Sequence, residues 1–152
     1  MKSNRDTQKT VCSASALRGA SRRLSQIYDD QLAPSGLRGT QFTVLNRINR
    51  HGTASLNELS DALAMDRSTL GHNLRPLERD GLVVLGLDPD DRRTRTITLS
   101  AKGKKKLAEA LPLWAKAHAR FEKAFGVERA AELRALLHEI ASDEFIERLT
   151  AD

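Results

Sequence analysis

Residues 55–103 read SLNELSDALAMDRSTLGHNLRPLERDGLVVLGLDPDDRRTRTITLSAKG, and the rest of the 152-residue chain takes its meaning from this stretch. It opens with Ser55 and Glu58, the spacing at which a hydroxyl and a carboxylate reciprocally satisfy free amides at a helix start. A short helix to about Leu63 follows. After a tight turn at Ala64-Met65, Asp66 is placed to cap a second helix reaching about Asp80, and Gly81 stands where a left-handed residue stops it. Two short helices joined by so tight a turn predict a helix-turn-helix. Beyond Gly81 the period changes. LVVLGL (82–87) and TRTITL (94–99) are rich in β-branched residues and bracket DPDDRR (88–93), which predicts a two-stranded hairpin with a charged tip, a wing.

Outside this unit the pattern is helical. Leu17, Ala20, Leu24, Ile27 and Leu32 recur every three to five residues and predict an amphipathic helix from Val11 to about Ala33, ended by Pro34-Ser35-Gly36. Thr40 is a good N-cap for a second helix carrying Phe42, Leu45 and Ile48 inward as far as His51-Gly52. Ser100 is placed to cap a long helix whose Leu107, Leu111, Trp114, His118, Phe121 and Phe125 alternate spacings of four and three, the seam of a helix packed on another, with a kink expected near Pro112. A last helix after Gly126 carries Leu133, Leu136, Leu137, Ile140, Phe145 and Leu149. The expected architecture is therefore mainly α: a winged helix-turn-helix with a two-stranded β-wing at 38–100, helical regions at 11–37 and 101–152 serving dimerisation, and a disordered polar tail at 1–10.

Composition bounds the function. No apolar run approaches the roughly 20 residues of a membrane span, and the single cysteine, Cys12, rules out an internal disulfide framework, so a cytoplasmic setting is expected. The net charge of +5 suits a nucleic-acid partner. Yet residues 52–100 hold six arginines against eight acids, so bulk charge does not carry that conclusion. Placement of particular side chains has to.

On the helix from Asp66 to Asp80, Leu70, Leu74 and Leu77 share one face and should dock inward. Ser68, His72, Arg75 and Arg79 then face outward, with Thr69 on the flank. Small hydroxyl residues at the N-terminal end suit entry into a major groove about 12 Å wide, and arginines beyond them can reach guanine edges or phosphates. Pro76 separates the base-reading residues from Arg79, which is assigned to phosphate. Arg92 and Arg93 at a proline-containing tip suit a narrow minor groove, where negative potential concentrates. A solvated helix face of ordinary charges is the plain alternative for the helix read alone.

The run from Ser55 to Gly103 closely resembles the DNA-binding unit of the MarR family. Its most specific part is the wing signature Asp-x-Arg, a strand, then Leu-[Ser/Thr]-x-x-Gly, met by Asp91, Arg93, Leu99, Ser100 and Gly103. The resemblance implies a transcription regulator, commonly a repressor, working as a homodimer on a pseudo-palindromic site in double-stranded DNA. It also implies that Arg93 enters the minor groove and that Asp91 orients it. At His72 the family's run often carries arginine, so this contact is expected to be weaker or pH-sensitive.

By the same resemblance the terminal helices interlock with a second copy. Tyr28, Phe42, Trp114 and His118 become candidates for an effector pocket that takes an aromatic acid or a related small molecule, although aromatic residues at helical spacing are more often simply core. Cys12 is a candidate redox sensor. An enzyme is not expected: the four histidines lack metal-ligand spacing, and no phosphate loop or nucleophile elbow is present. No cofactor or metal is expected. A winged helix used for protein contacts is the rival reading, and apolar residues on the exposed face of the second helix would favour it.

Overall fold

The computed structural model describes residues 12–151, and the tail expected at 1–10 lies outside the described residues. The elements run α1 (Ser13–Leu32), a 3-10 turn (Ala33–Ser35), α2 (Gly39–His51), β1 (Thr53–Ser55), α3 (Leu56–Leu63), α4 (Arg67–Arg79), β2 (Val83–Leu87), β3 (Arg95–Leu99), α5 (Ala101–Phe125), α6 (Val127–Ile140) and α7 (Asp143–Thr150). The helix-turn-helix forms as its caps dictate. Ser55 N–H donates to Glu58 Oε2 at 2.7 Å while Glu58 N–H donates to Ser55 Oγ at 3.2 Å. The hydrogen bonds that Ser55 gives the ionised carboxylate, that of its backbone amide first and that of its side chain second, hold the Glu58 pKa below the usual range. The turn between α3 and α4 passes through Ala64 at φ 49°, a left-handed residue stopping α3 where glycine is more usual.

Leu45 and Ile48 of α2, Leu59 of α3, Leu70 and Leu77 of α4 and Ile97 of β3 are fully buried against one another. At about 1.5–3 kcal/mol per buried side chain, this cluster fixes how α4 is presented.

The structure departs from the sequence reading at several points. The wing is part of a three-stranded antiparallel sheet in the order β1-β3-β2, with Thr53 opposite Thr98 and Ser55 opposite Thr96. A three-residue strand has no period to read, and pairing with β3 alone defines it. α2 starts at Gly39 rather than after a Thr40 cap: Arg38 N–H donates to Gln41 Oε1 at 3.0 Å, and Gly39 N–H donates to Asp29 Oδ1 at 2.6 Å. The expected last helix divides at Ala141-Ser142, where Ser142 Oγ accepts from Phe145 N–H and starts α7. α5 continues through Pro112 without a break, and its buried line is Gly103, Leu107, Ala110 and Ala117, with Leu111 exposed.

One close approach ties the two parts of the chain together. A Cβ at Gly103 would lie 1.9 Å from the Leu82 carbonyl oxygen, so α5 sits on the entrance to β2 at a distance only glycine permits. Around it Ser100 Oγ donates to the Gly81 carbonyl at 2.6 Å, and Lys102 Nζ donates to the Asp80 carbonyl at 2.7 Å. Gly71, on the outward side of α4, meets nothing within 4 Å. Urea unfolding should therefore separate the two glycines. Gly103→Ala is expected to cost about 3 kcal/mol or to prevent folding, because backbone must move, whereas Gly71→Ala should gain up to about 1 kcal/mol.

Candidate nucleic-acid interface and adjoining cavity

Burial of Leu70, Leu74 and Leu77 turns the opposite side of α4 outward, and Ser68, Thr69, His72, Arg75 and Arg79 are all exposed there. This outward face carries no large apolar side chain, which disfavours the protein-docking rival. Asp66 caps the helix with both oxygens: Thr69 N–H donates to Oδ1 at 2.8 Å and Thr69 Oγ1 donates to Oδ2 at 2.6 Å. The Thr69 hydroxyl is thus already engaged, and the Thr69 bonds hold the Asp66 pKa below its ordinary value. Asn73 Nδ2 donates to the Thr69 carbonyl, which steadies the same turn. Arg79 lies against Asp80 at 3.3 Å, so the last arginine of α4 has a local counter-charge while Arg75 has none among the described residues.

The wing tip is built from two carboxylates folded back on the main chain. Asp88 Oδ1 accepts from the amides of Asp90 and Asp91 at 2.8 and 3.2 Å. Asp91 Oδ1 accepts from Arg93 N–H at 3.0 Å and Asp91 Oδ2 from Thr94 Oγ1 at 3.0 Å. Asp91 therefore shapes the turn through the backbone of Arg93. Among the described residues Asp91 makes no ion pair with the Arg93 guanidinium. Arg92 and Arg93 project exposed. Arg67 at the start of α4 and Arg95 at the base of the wing are exposed too. Both are among the six arginines counted in residues 52–100 but carry no assigned contact there, and their nearness to Asp66 and Arg93 is the signal that marks them.

Beside this unit lies a cavity of about 680 Å³ bounded by α1, α2, α5 and α6. Tyr28, Phe42 and Trp114 line it, together with Leu17, Leu24, Asp29, Thr43, Met65, Leu133 and Leu137. His118 does not line it. It stacks on Trp114 with centroids 4.9 Å apart, and Trp114 stacks on Phe42 at 5.6 Å, so three rings form one column. Behind them Glu122 Oε1 takes both His118 Nε2 at 3.3 Å and Arg134 Nη2 at 3.1 Å. Burial raises the Tyr28 pKa, with Arg134 opposing and Glu122 reinforcing, so the phenol stays protonated. The apolar periods of the first and last helices were legible, but not the space they enclose. Cys12 is exposed just ahead of α1.

Several comparisons bear on this arrangement. A MarR family profile matches residues 35–94. The M. tuberculosis transcriptional regulator MOSR, solved in complex with DNA, is 33% identical, with a TM-score of 0.81 over 93% of this chain and 100% of MOSR. The chain belongs to the MarR family. The transcriptional repressor CouR of Rhodococcus jostii, solved on a 23-mer DNA duplex, is 28% identical, with a TM-score of 0.78 over 93% of this chain and 99% of CouR. The repressor NicR of Pseudomonas putida is 33% identical over 96 residues, which span 63% of this chain and 61% of NicR. These relatives are transcription regulators rather than enzymes, and no described helix is long and apolar enough to cross a membrane.

The Asp66 cap carries a pH dependence of definite sign. A carboxylate whose pKa is depressed by folding stabilises the folded state fully above its unfolded value and loses that contribution as pH falls through the folded one. Asp66→Ala should lower Tm at neutral pH. The difference from wild type should shrink below the usual carboxylate range, read by thermal melts followed by circular dichroism.

Proposed function

We propose that this MarR-family chain is a cytoplasmic, ligand-responsive transcription regulator, acting as a repressor. It binds a pseudo-palindromic operator as a homodimer, with α4 in the major groove and the wing in the minor groove. The observation that carries this reading is the joint exposure of Ser68, His72, Arg75 and Arg93 on a face whose reverse is locked into the core. Ser68, Thr69, His72 and Arg75 are assigned to base edges or their rim, Arg79 to phosphate, Arg93 to the minor groove, and Asp91 to the shape of the tip. That MOSR and CouR were both solved with DNA supports the DNA-binding reading.

Dimerisation is favoured by apolar side chains that a lone chain leaves in water. Ile27 of α1, Leu136, Leu137 and Ile140 of α6, and Ile146 and Leu149 of α7 are all exposed. So many exposed apolar groups on the terminal helices mark an interface, and residues 12–37 and 101–151 are accordingly assigned to dimerisation, with 38–100 as the DNA-binding region. The cavity beside Trp114 is assigned to a small-molecule effector such as an aromatic acid.

The test is selection of bound fragments from genomic DNA, followed by fluorescence anisotropy on a recovered duplex across a salt series. Affinity should fall steeply and log-linearly with salt. Salt-independent binding, or none, overturns the reading. Arg75→Ala should relax base preference at one position per half-site at a cost of about 1–3 kcal/mol. Arg93→Ala should weaken binding across all sequences with little change in preference. In size-exclusion chromatography the 16.8 kDa chain should elute at twice its mass.

A further inference from the structure

We propose that the effector site is bipartite: an anionic group of the ligand is held by Arg47 and Arg50 in a small annex, while an apolar or aromatic body fills the main cavity. This rests on the ligand-responsive reading above and names the ligand's chemistry.

The annex, about 180 Å³, is lined by Phe42, Thr43, Asn46, Arg47, Arg50 and Trp114. Phe42, Thr43 and Trp114 line the main cavity as well, so the two spaces meet at the stacked pair Phe42–Trp114. Gly39, Thr43, Arg47 and Arg50 follow one another at spacings of four, four and three along one face of α2, with Asn46 next to Arg47. The first of them front the apolar space and the last front the annex.

Charge decides which end takes an anion. Among the described residues no lysine, arginine or histidine lines the main cavity, and the carboxylate there, Asp29, is engaged by the amide of Gly39 at 2.6 Å. A carboxylate placed there would meet a like charge. Arg134, behind Tyr28, is already bonded to Glu122. Arg47 and Arg50 have no ion-pair partner among the described residues, and Asn46 lines the annex with them, where its amide can donate as well. At 1.5 Å per residue, Thr40, which lines only the main cavity, and Arg47, which lines only the annex, are about 10 Å apart along α2. The ligand is therefore an elongated amphiphile, an aryl or alkyl body joined through several atoms to a carboxylate or phosphate, rather than a compact benzoate.

Trp114 is the only tryptophan in the chain, so its fluorescence reports directly from the junction. The probes are 6-phenylhexanoate and its neutral amide, titrated into the full-length wild type and the Arg47→Gln/Arg50→Gln double variant. Wild type is expected to bind the acid about tenfold more tightly than the amide, the scale of hydrogen bonds to a charged group. The variant is expected to bind both equally, with its amide affinity unchanged, which also shows that the cavity is intact. DNA affinity without ligand, on the duplex recovered above, should match wild type within about twofold, as for an arginine that makes no phosphate contact. Equal binding of acid and amide by wild type, or no saturable signal at millimolar concentrations, overturns the proposal, as does an acid preference that survives in the variant. If the variant instead loses DNA affinity while keeping the acid preference, the two arginines are phosphate contacts and the annex is not an anion site. Failure of wild type to bind DNA would count against the regulator reading alone, since the ligand titrations need no DNA.

Discussion

The structure depends on the seat of α5 against the end of the recognition helix. Three consecutive carbonyls leaving α4, those of Asp80, Gly81 and Leu82, are taken by Lys102 Nζ, Ser100 Oγ and Ser100 N–H at 2.7, 2.6 and 3.0 Å. Gly103 presses on the last of them so closely that no side chain fits. Each hydrogen bond contributes only about 1 kcal/mol net. Together with the close packing they leave the reading helix no independent orientation. The same α5 carries Trp114 into the cavity wall, so one continuous helix touches both the DNA-reading unit and the space assigned to effector. A ligand releases DNA only to the extent that it prefers one arrangement of the chain over another. A rigid helix fixed at its start gives that preference a physical route.

Electrostatics here work by placement rather than by total. Residues 52–100 are net acidic, an unpromising balance for a surface meant to meet phosphate. Four of the eight acids are bonded to the backbone: Glu58 and Asp66 cap helices, and Asp88 and Asp91 fold the wing tip. Arg75, Arg92 and Arg93 are exposed and make no ion pair among the described residues. The cavity follows the same logic, since Asp29 is engaged by the start of α2 and the uncommitted cations lie at that helix's other end.

The apolar side chains left exposed on α1, α6 and α7 belong to the same economy of surfaces. The core cluster centres on the winged unit and reaches into the N-terminal half of α5, through Leu107 and Ala110. Beyond that α1 packs along α5 while α7 rests on α6, and the apolar side chains left on their outer faces are the surface that the proposed pairing would cover. In the proposed dimer the two reading heads would stand about one turn of duplex, ~34 Å, apart.

Much of this was legible in the residues because it is local. The capping pairs Ser55/Glu58 and Asp66/Thr69, the stop at Gly81, the cap at Ser100 and the inward row Leu70, Leu74 and Leu77 depend on neighbours within one or two turns, and a linear chain displays such neighbours openly. What had to wait for the tertiary structure depends on partners distant in sequence. Thr53–Ser55 becomes a strand only because β3 lies alongside it, and Gly39 starts a helix because Asp29 reaches across to it. His118 leaves the cavity wall because Trp114 stands in front of it. The annex at Arg47 and Arg50 exists because Trp114, more than sixty residues further along the chain, closes one side of it. Periodicity tells which face of a helix is apolar, but only the packing of other helices decides whether that face meets core, a cavity or a second chain.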